Sequence, residues 1–346
     1  MDKQDFIFSV SQLKEYLREK KWDIDRIPLP QEELHDNFFL LIPKYYVDLI
    51  NWYDESDPLR KMVLTSNLES DIKEYELQDP IGDESHSPIP GIVHRYPNRC
   101  LLMLTNICPV HCRFCFRRNL LSHNQADFEK SMQYIEEHTE LWEVILSGGD
   151  PFMFTDYFLA KIITRLKQIN HIKIIRFHTR TPAVYPKRVT PEFLKIISKA
   201  QPFIVLHINH PKEITRDFID CVNGLKGTGA ILLSQTVLMK DVNDDEKTLG
   251  LLFKKLIEIG VKPYYLHHLD LAAGTHHFRV SVEKGKSIMQ KLRGNLSGIC
   301  LPEYVIDTPG GYGKIPVFWF KHIAKNMYKA TSFEGKNIVY TDMTDY

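Results

Sequence analysis

The sequence predicts an α/β protein: a partial, TIM-like (β/α)6 barrel of parallel strands with an N-terminal helical extension. Three observations carry this. Six short, largely apolar, β-rich runs recur from Cys100 onward, spaced by about thirty residues as repeated βα units are. Amphipathic stretches separate them. Polar and thiol groups crowd the C-terminal end of the runs, the rim where such barrels place their chemistry.

The elements follow in order. Residues 1–90 form the extension and a linker. "SVSQLKEYLREKKWD" reads as an amphipathic helix, and residues 42–64 as a second helix broken between positions 54 and 58. Residues 77–91, "LQDPIGDESHSPIPG", are rich in Pro, Asp, Ser and Gly and read as an extended linker. The barrel and a C-terminal segment occupy 91–346. Its strands are "CLLMLTN", "WEVILSGG", "IKIIRFHT", "FIVLHIN", "AILLSQTVL" and "KPYYLHHL", apolar enough to be buried on both faces. Helices are expected in "ADFEKSMQYIEEH", "DYFLAKIITRLKQI", "PEFLKIISKA" and "DDEKTLGLLFKKLIEIG".

Composition excludes several classes of function. The 44 basic and 44 acidic side chains cancel, so nothing resembles the basic stripe of a nucleic-acid binder. No apolar run approaches the ~18 residues of a membrane span, and the N-terminus lacks a signal-peptide pattern. Six cysteines in 346 residues, three of them clustered, argue for a reducing compartment and for metal binding or catalysis. A cytoplasmic protein is expected.

The rim supplies the candidate site. Cys108, Cys112 and Cys115 follow the first strand, and "SGGD" (147–150) the second. "HTRTP" ends the third, "HINHP" with His207 the fourth, Gln235 lies on the fifth and "HHLD" with Asp270 ends the sixth. Thiolates select zinc, copper or iron–sulfur clusters. A structural zinc is normally closed by four ligands, and His111 is poorly placed as a fourth. Three cysteines can hold three irons of a four-iron cluster and leave the fourth open, so the ligand count favours a cluster. Cys100, Cys221 and Cys300 are isolated and read as buried apolar residues.

In "DTPGGYGKIPVF" (307–318), Lys314 stands among three glycines. A lysine is the side chain that forms a Schiff base with pyridoxal phosphate, and glycines let a flat ring approach the backbone. In "HRYPNR", Arg95, Tyr96 and Arg99 are suited to a phosphate. Each stretch alone would pass for an ordinary loop.

The Cys-x3-Cys-x2-Cys spacing, with Phe114 inside it, resembles the signature of the radical S-adenosylmethionine (radical SAM) superfamily, whose partial (β/α)6 barrel matches the six units. Together with "SPIPGIVHRYPNR", "LSGGD", "RTPAVYPKRVTPE", "HINHPKEIT", "KPYY", "LRGNLSG" and "DTPGGYGKIP", in that order, the chain resembles the lysine 2,3-aminomutase family over more than three quarters of its length. The resemblance implies that Cys108, Cys112 and Cys115 hold a 4Fe–4S cluster. It implies that Gly148, Gly149, His207 and Gln235 contact S-adenosylmethionine. Lys314 would carry pyridoxal 5′-phosphate, with Arg95, Tyr96 and Arg99 on its phosphate, and Arg117 would bind the α-carboxylate of an amino acid. An adenosyl radical would then take a β-hydrogen, and the amino nitrogen would migrate from α to β.

Asp270 and Asp307 coincide with the two aspartates of lysine-specific members, which implies conversion of L-lysine to β-lysine. A lone buried ammonium needs such anions. Read without the resemblance, Asp270 caps a loop and Asp307 opens a turn. The alternatives are the branch that makes β-lysine for elongation factor P, or an aminomutase for another amino acid. That branch lacks the aspartate of "DTPGG". Larger members carry further cysteines for an intersubunit zinc; Asp245 stands in one such region, so no structural zinc is expected. His267 stands where a tyrosine is expected. A flavodoxin- or ferredoxin-type electron donor and a homo-oligomer are also implied.

Overall fold

The computed structural model describes residues 2–30, 38–119 and 126–344. In the extension, β1 (Phe6–Ile7) and β2 (Ile42–Pro43) pair antiparallel. Helix α1 (Val10–Glu19) begins where the Ser9 hydroxyl accepts the Gln12 N–H at 3.1 Å, and it buries Val10, Leu13, Tyr16 and Leu17 on one face. The second helix is shorter than expected. It reduces to α2 (Lys44–Val47) and α3 (Pro58–Val63). The Trp52 indole, fully buried, turns back to donate to the Val47 carbonyl at 3.0 Å and stops α2. The Asp57 carboxylate accepts the N–H groups of Leu59 and Arg60 and starts α3.

A nine-stranded sheet forms the body: β3 (Ile92–Tyr96), β4 (Arg99–Leu102), β5 (Glu143–Leu146), β6 (Ile174–Thr179), β7 (Phe203–His207), β8 (Ile231–Leu238), β9 (Lys262–His268), β10 (Glu303–Asp307) and β11 (Lys314–Pro316). The strands lie in sequence order. From β4 to β10 they run parallel, and the two edge strands, β3 and β11, are antiparallel to their neighbours. The six expected strands are β4–β9. The sequence reading missed β3, β10 and β11, which widen the sheet on both sides. A separate antiparallel sheet, β12 (Lys321–Ala324), β13 (Met327–Thr331) and β14 (Asn337–Thr341), follows.

The expected helices appear as α4 (Phe128–Glu137), α5 (Asp156–Gln168), α7 (Pro191–Ser198) and α9 (Glu246–Glu258), alternating with strands as βα units require. Short α6 (Thr181–Val184), α8 (Arg216–Gly227) and α10 (Val282–Asn295) complete the set. Asp245 is the N-cap of α9, accepting from the N–H groups of Lys247 and Thr248 at 2.9 Å.

The sheet curls without closing by a ladder. Its two edges meet where the Lys314 N–H on β11 donates to the Tyr96 hydroxyl on β3 at 2.9 Å. Residues 79–87, part of the 77–91 stretch read from sequence as an extended linker, lie across this meeting. A Cβ on Gly82 would come within 2.7–2.9 Å of the backbone of Gly310 and Gly311, so the segment is pressed against the turn that carries Lys314.

Candidate active site

Inside the curl lies a cavity of about 830 Å³. The three clustered cysteines, Gly148, Gly149, His207, Gln235, Arg95, Tyr96, Arg99, Arg117, Asp270, Asp307 and Lys314 all line it. The positions singled out from sequence thus share one space, the size of an ordinary ligand pocket.

The cysteine loop is held by the extension. Its His111 and Arg113 N–H groups donate to the carbonyls of Leu41 and Met62, at 3.0 and 2.9 Å. Arg113, fully buried, donates through Nε to Glu69 at 2.9 Å and through Nη1 to the Phe38 carbonyl at 3.0 Å. Arg118, which had no sequence-based role, donates to the same Glu69 and to the Gly274 carbonyl. His111 turns away from the cavity, with Nδ1 on the Phe39 carbonyl at 2.9 Å and its ring stacked on Phe38. It does not join the thiols.

Burial pushes all three thiols up, Cys115 to about 11. Arg180, which sequence reasoning passed over inside "HTRTP", opposes this at Cys112. Its Nη1 donates to Cys112 Sγ at 2.9 Å and its Nη2 to Glu213 at 2.9 Å.

The "SGGD" loop packs directly on the cysteine loop. The Gly149 N–H donates to the Thr105 carbonyl at 2.7 Å, and the Asp150 N–H to the Ile107 carbonyl at 2.8 Å. A Cβ on Gly149 would lie 2.4 Å from the Ile107 oxygen. The glycines are therefore explained by approach to this backbone before any ligand is considered. Gly149→Ala is expected to displace residues 105–107 at a cost of about 1–3 kcal/mol. Thermal unfolding and iron retained per chain after anaerobic reconstitution measure it; an unchanged Tm and iron content would contradict the packing argument. Asp150 accepts from Thr179 Oγ1 and from the N–H groups of Arg180 and Thr181, tying the second and third rim loops together.

The opposite wall is charged. The Arg99 guanidinium lies 3.7 Å from the Tyr96 ring centroid. Asp83, from the segment read as a linker, is buried and bridges two arginines: Arg95 Nη2 donates to it at 2.9 Å and Arg117 Nε at 2.8 Å. Lys314 Nζ donates to both oxygens of Asp307 at 2.8 Å, and His267 Nδ1 lies 3.4 Å from Asp307. Burial opposes the charge of Asp307, but Lys314 and then His267 outweigh it and hold the carboxyl well below the usual range. Asp270 is pushed up to about 8 by burial and then by the charge of Asp307. Burial lowers His178, His207 and His267, so all three are neutral near pH 7.

Sequence comparison agrees with this geometry. The Radical SAM superfamily profile matches residues 102–252, across the cysteine loop and the first strands of the curl. Fold and site together define a radical SAM enzyme, and the curled half-barrel is that superfamily's fold; the superfamily carries a 4Fe–4S cluster and S-adenosylmethionine. The profile described as Lysine-2,3-aminomutase matches residues 289–346. L-lysine 2,3-aminomutase of Clostridium subterminale is 36% identical, over 98% of this chain and 83% of its own. That of Escherichia coli K12 is 38% identical, over 81% and 83%. Glutamate 2,3-aminomutase of Clostridioides difficile strain 630 is 35% identical, over 90% and 75%. The chain belongs to the lysine 2,3-aminomutase family.

Proposed function

We propose that this chain is an amino acid 2,3-aminomutase dependent on a 4Fe–4S cluster, S-adenosylmethionine and pyridoxal phosphate, and that it converts L-lysine to β-lysine. One observation supports this above the rest: a single cavity unites three cluster-ready thiols, the amine of Lys314 and a pair of aspartates. Lysine- and glutamate-acting relatives are almost equally similar, so overall identity does not choose the substrate. The aspartate pair supports lysine, since a glutamate side chain would meet like charge there once Asp270 and Asp307 are ionised.

The residues suit the groups they would hold. Cys108, Cys112 and Cys115 would hold the cluster, with Arg180 stabilising thiolate at Cys112. Bound there, the cluster and S-adenosylmethionine supply a 5′-deoxyadenosyl radical. Gly148, Gly149, His207 and Gln235 would face that cosubstrate, and the neutral, buried His207 has a free Nε2. Pyridoxal phosphate also fits. Lys314 offers its amine, and Arg95 keeps a buried Nε without a protein partner. A Cβ on Gly313 would lie 2.5 Å from the Tyr96 hydroxyl, so a side chain there would fill the cradle. Bound there, pyridoxal phosphate supplies an aldehyde that captures the amino nitrogen and a ring that spreads an unpaired electron.

The chain's own residues do the rest. Arg95, Tyr96 and Arg99 would take the phosphate. Arg117, its Nε fixed by Asp83 and its Nη1 donating to the Ser147 hydroxyl at 3.3 Å, would turn Nη2 to the α-carboxylate. Asp270 and Asp307 would take the ε-ammonium and so fix which carbon faces the radical source.

Anaerobic reconstitution with iron, sulfide, pyridoxal phosphate and S-adenosylmethionine, followed by L-lysine, should yield β-lysine. Product from glutamate or another amino acid instead would overturn the substrate and keep the chemistry. We further propose a flavodoxin- or ferredoxin-type reductant, a homo-oligomer and a cytoplasmic setting, the last in keeping with free thiols at all six cysteines and no helix long and apolar enough to span a membrane among the described residues.

A further inference from the structure

Lys314 makes one contact that the proposed chemistry leaves unused. Its ammonium sits on both oxygens of Asp307, each at 2.8 Å, and Asp307 is one of the two carboxylates assigned above to the substrate's own ammonium. Asp307 is 7% exposed, and it has no second cation within ion-pair distance among the described residues other than His267, whose ring burial keeps neutral. The subsite therefore already contains an alkylammonium, supplied by the chain itself.

We infer that Lys314 occupies the subsite for the substrate's terminal ammonium in the cofactor-free chain, and that committing its nitrogen to the cofactor opens that subsite. This rests on the reading of Lys314 as the cofactor lysine. The argument is one of hydrogen-bond count. An ammonium has three N–H groups and spends two on Asp307. To condense with an aldehyde it first gives a proton to solvent. The amine then adds to the carbonyl carbon, and the carbonyl oxygen leaves as water. The nitrogen left in the C=N bond carries at most one proton, so it cannot donate to both oxygens of Asp307. A buried carboxylate left with only the neutral His267 beside it is under-paired, and an incoming ammonium restores the lost donors.

Charge points the same way. With Lys314 on Asp307 that pair is neutral. Asp270, held up to about 8 by burial and then by Asp307, is also neutral at pH 7. The cofactor-free pocket thus offers an incoming cation no net negative charge. Until the substrate's own amine replaces Lys314 on the aldehyde, cofactor capture and recognition of the lysine side chain are linked, and each strengthens the other by the same factor. A neutral or acidic side chain gains nothing from the released carboxylate, so the linkage also sharpens selectivity.

The test needs no turnover. The full-length chain, cluster reconstituted but free of pyridoxal phosphate, is titrated calorimetrically with n-pentylammonium, a mimic of the lysine side chain. Wild type should bind it weakly. Lys314→Met, and Lys314→Gln as a second variant that keeps a neutral donor, should bind it at least about tenfold more tightly, the scale of one buried charge pair. Adding Asp307→Asn to either should cancel the gain. Equal affinity in wild type and both variants overturns the inference. Uptake of pyridoxal phosphate by wild type, followed by its absorbance, separates the two failures. No uptake removes the proposed cofactor; normal uptake with unchanged pentylammonium binding removes only this inference. The cluster absorbance of each variant reports its folding.

Discussion

Alanine at Cys112 is expected to abolish reductive cleavage of S-adenosylmethionine. A four-iron cluster held by three thiolates has no ligand to spare, because the open iron must stay open for the cosubstrate. Cys112 is also the sulfur that receives a guanidinium N–H, from Arg180 at 2.9 Å, in a pocket where burial otherwise favours the neutral thiol. Removing it deletes one iron's ligand and the thiolate that Arg180 helps to ionise. Iron and sulfide bound after anaerobic reconstitution should fall to background, and 5′-deoxyadenosine formation should drop by at least about 10³-fold. The Arg180–Glu213 pair survives the change, so the fold should persist, with Tm within a few degrees of wild type. Wild-type 5′-deoxyadenosine release from the variant would refute the assignment of the cluster.

The second large effect falls on the aspartates. Asp307→Asn and Asp270→Asn should each lower kcat/KM for L-lysine by about 10²–10³-fold, as expected when one partner of a buried, hydrogen-bonded charge pair is lost. Uptake of pyridoxal phosphate should change far less. The pH profile follows from Asp270. A protonated Asp270 offers an ammonium no negative charge, and its carboxyl is held at about 8, so kcat/KM should rise with pH through a midpoint near 8 and level off above it. Asp307 is the charge that, after burial, raises Asp270. In Asp307→Asn the residual activity should therefore level off at a lower pH. A flat profile, or an unchanged midpoint in the variant, would contradict the coupling. Unchanged lysine turnover in both variants would reject lysine as the substrate.

The parts of the molecule that sequence made legible are those whose cause is local. Strands β4–β9 announce themselves as short β-rich runs at a regular spacing; the expectation of burial on both faces holds for β5 and the middle of β7, as in Val144 to Leu146 and Ile204 to Leu206, whereas β4, β6, β8 and β9 alternate buried residues with half-buried ones such as Arg176, His178, Gln235 and His267 that line the cavity. The cysteines and Lys314 were readable because their spacing or their glycine-rich setting is part of their chemistry. What was missed depends on partners far along the chain. Arg180 looks like any polar residue after a strand until Cys112 and Glu213 arrive from 68 residues before it and 33 after. Arg113 and Arg118 find Glu69 across 44 and 49 residues. Asp83 sits in a stretch whose Pro, Ser and Gly content says only "loop", and nothing local shows that two cavity arginines converge on it. The three-residue strand β11 carries too short a pattern for any periodicity to register.

The meeting of β3 and β11 has a last consequence. A barrel closed by a full ladder can be entered only at its ends. Here, among the described residues, no ladder joins the two margins of the sheet: the Tyr96 phenol accepts the Lys314 N–H, its ring packs on Phe333, and a crossing segment that belongs to neither strand lies against the turn before Lys314. The wall therefore has a seam, and the seam runs beside the residues proposed to hold pyridoxal phosphate. Parting it would break no strand pairing, so the wall is weakest where that cofactor's residues stand.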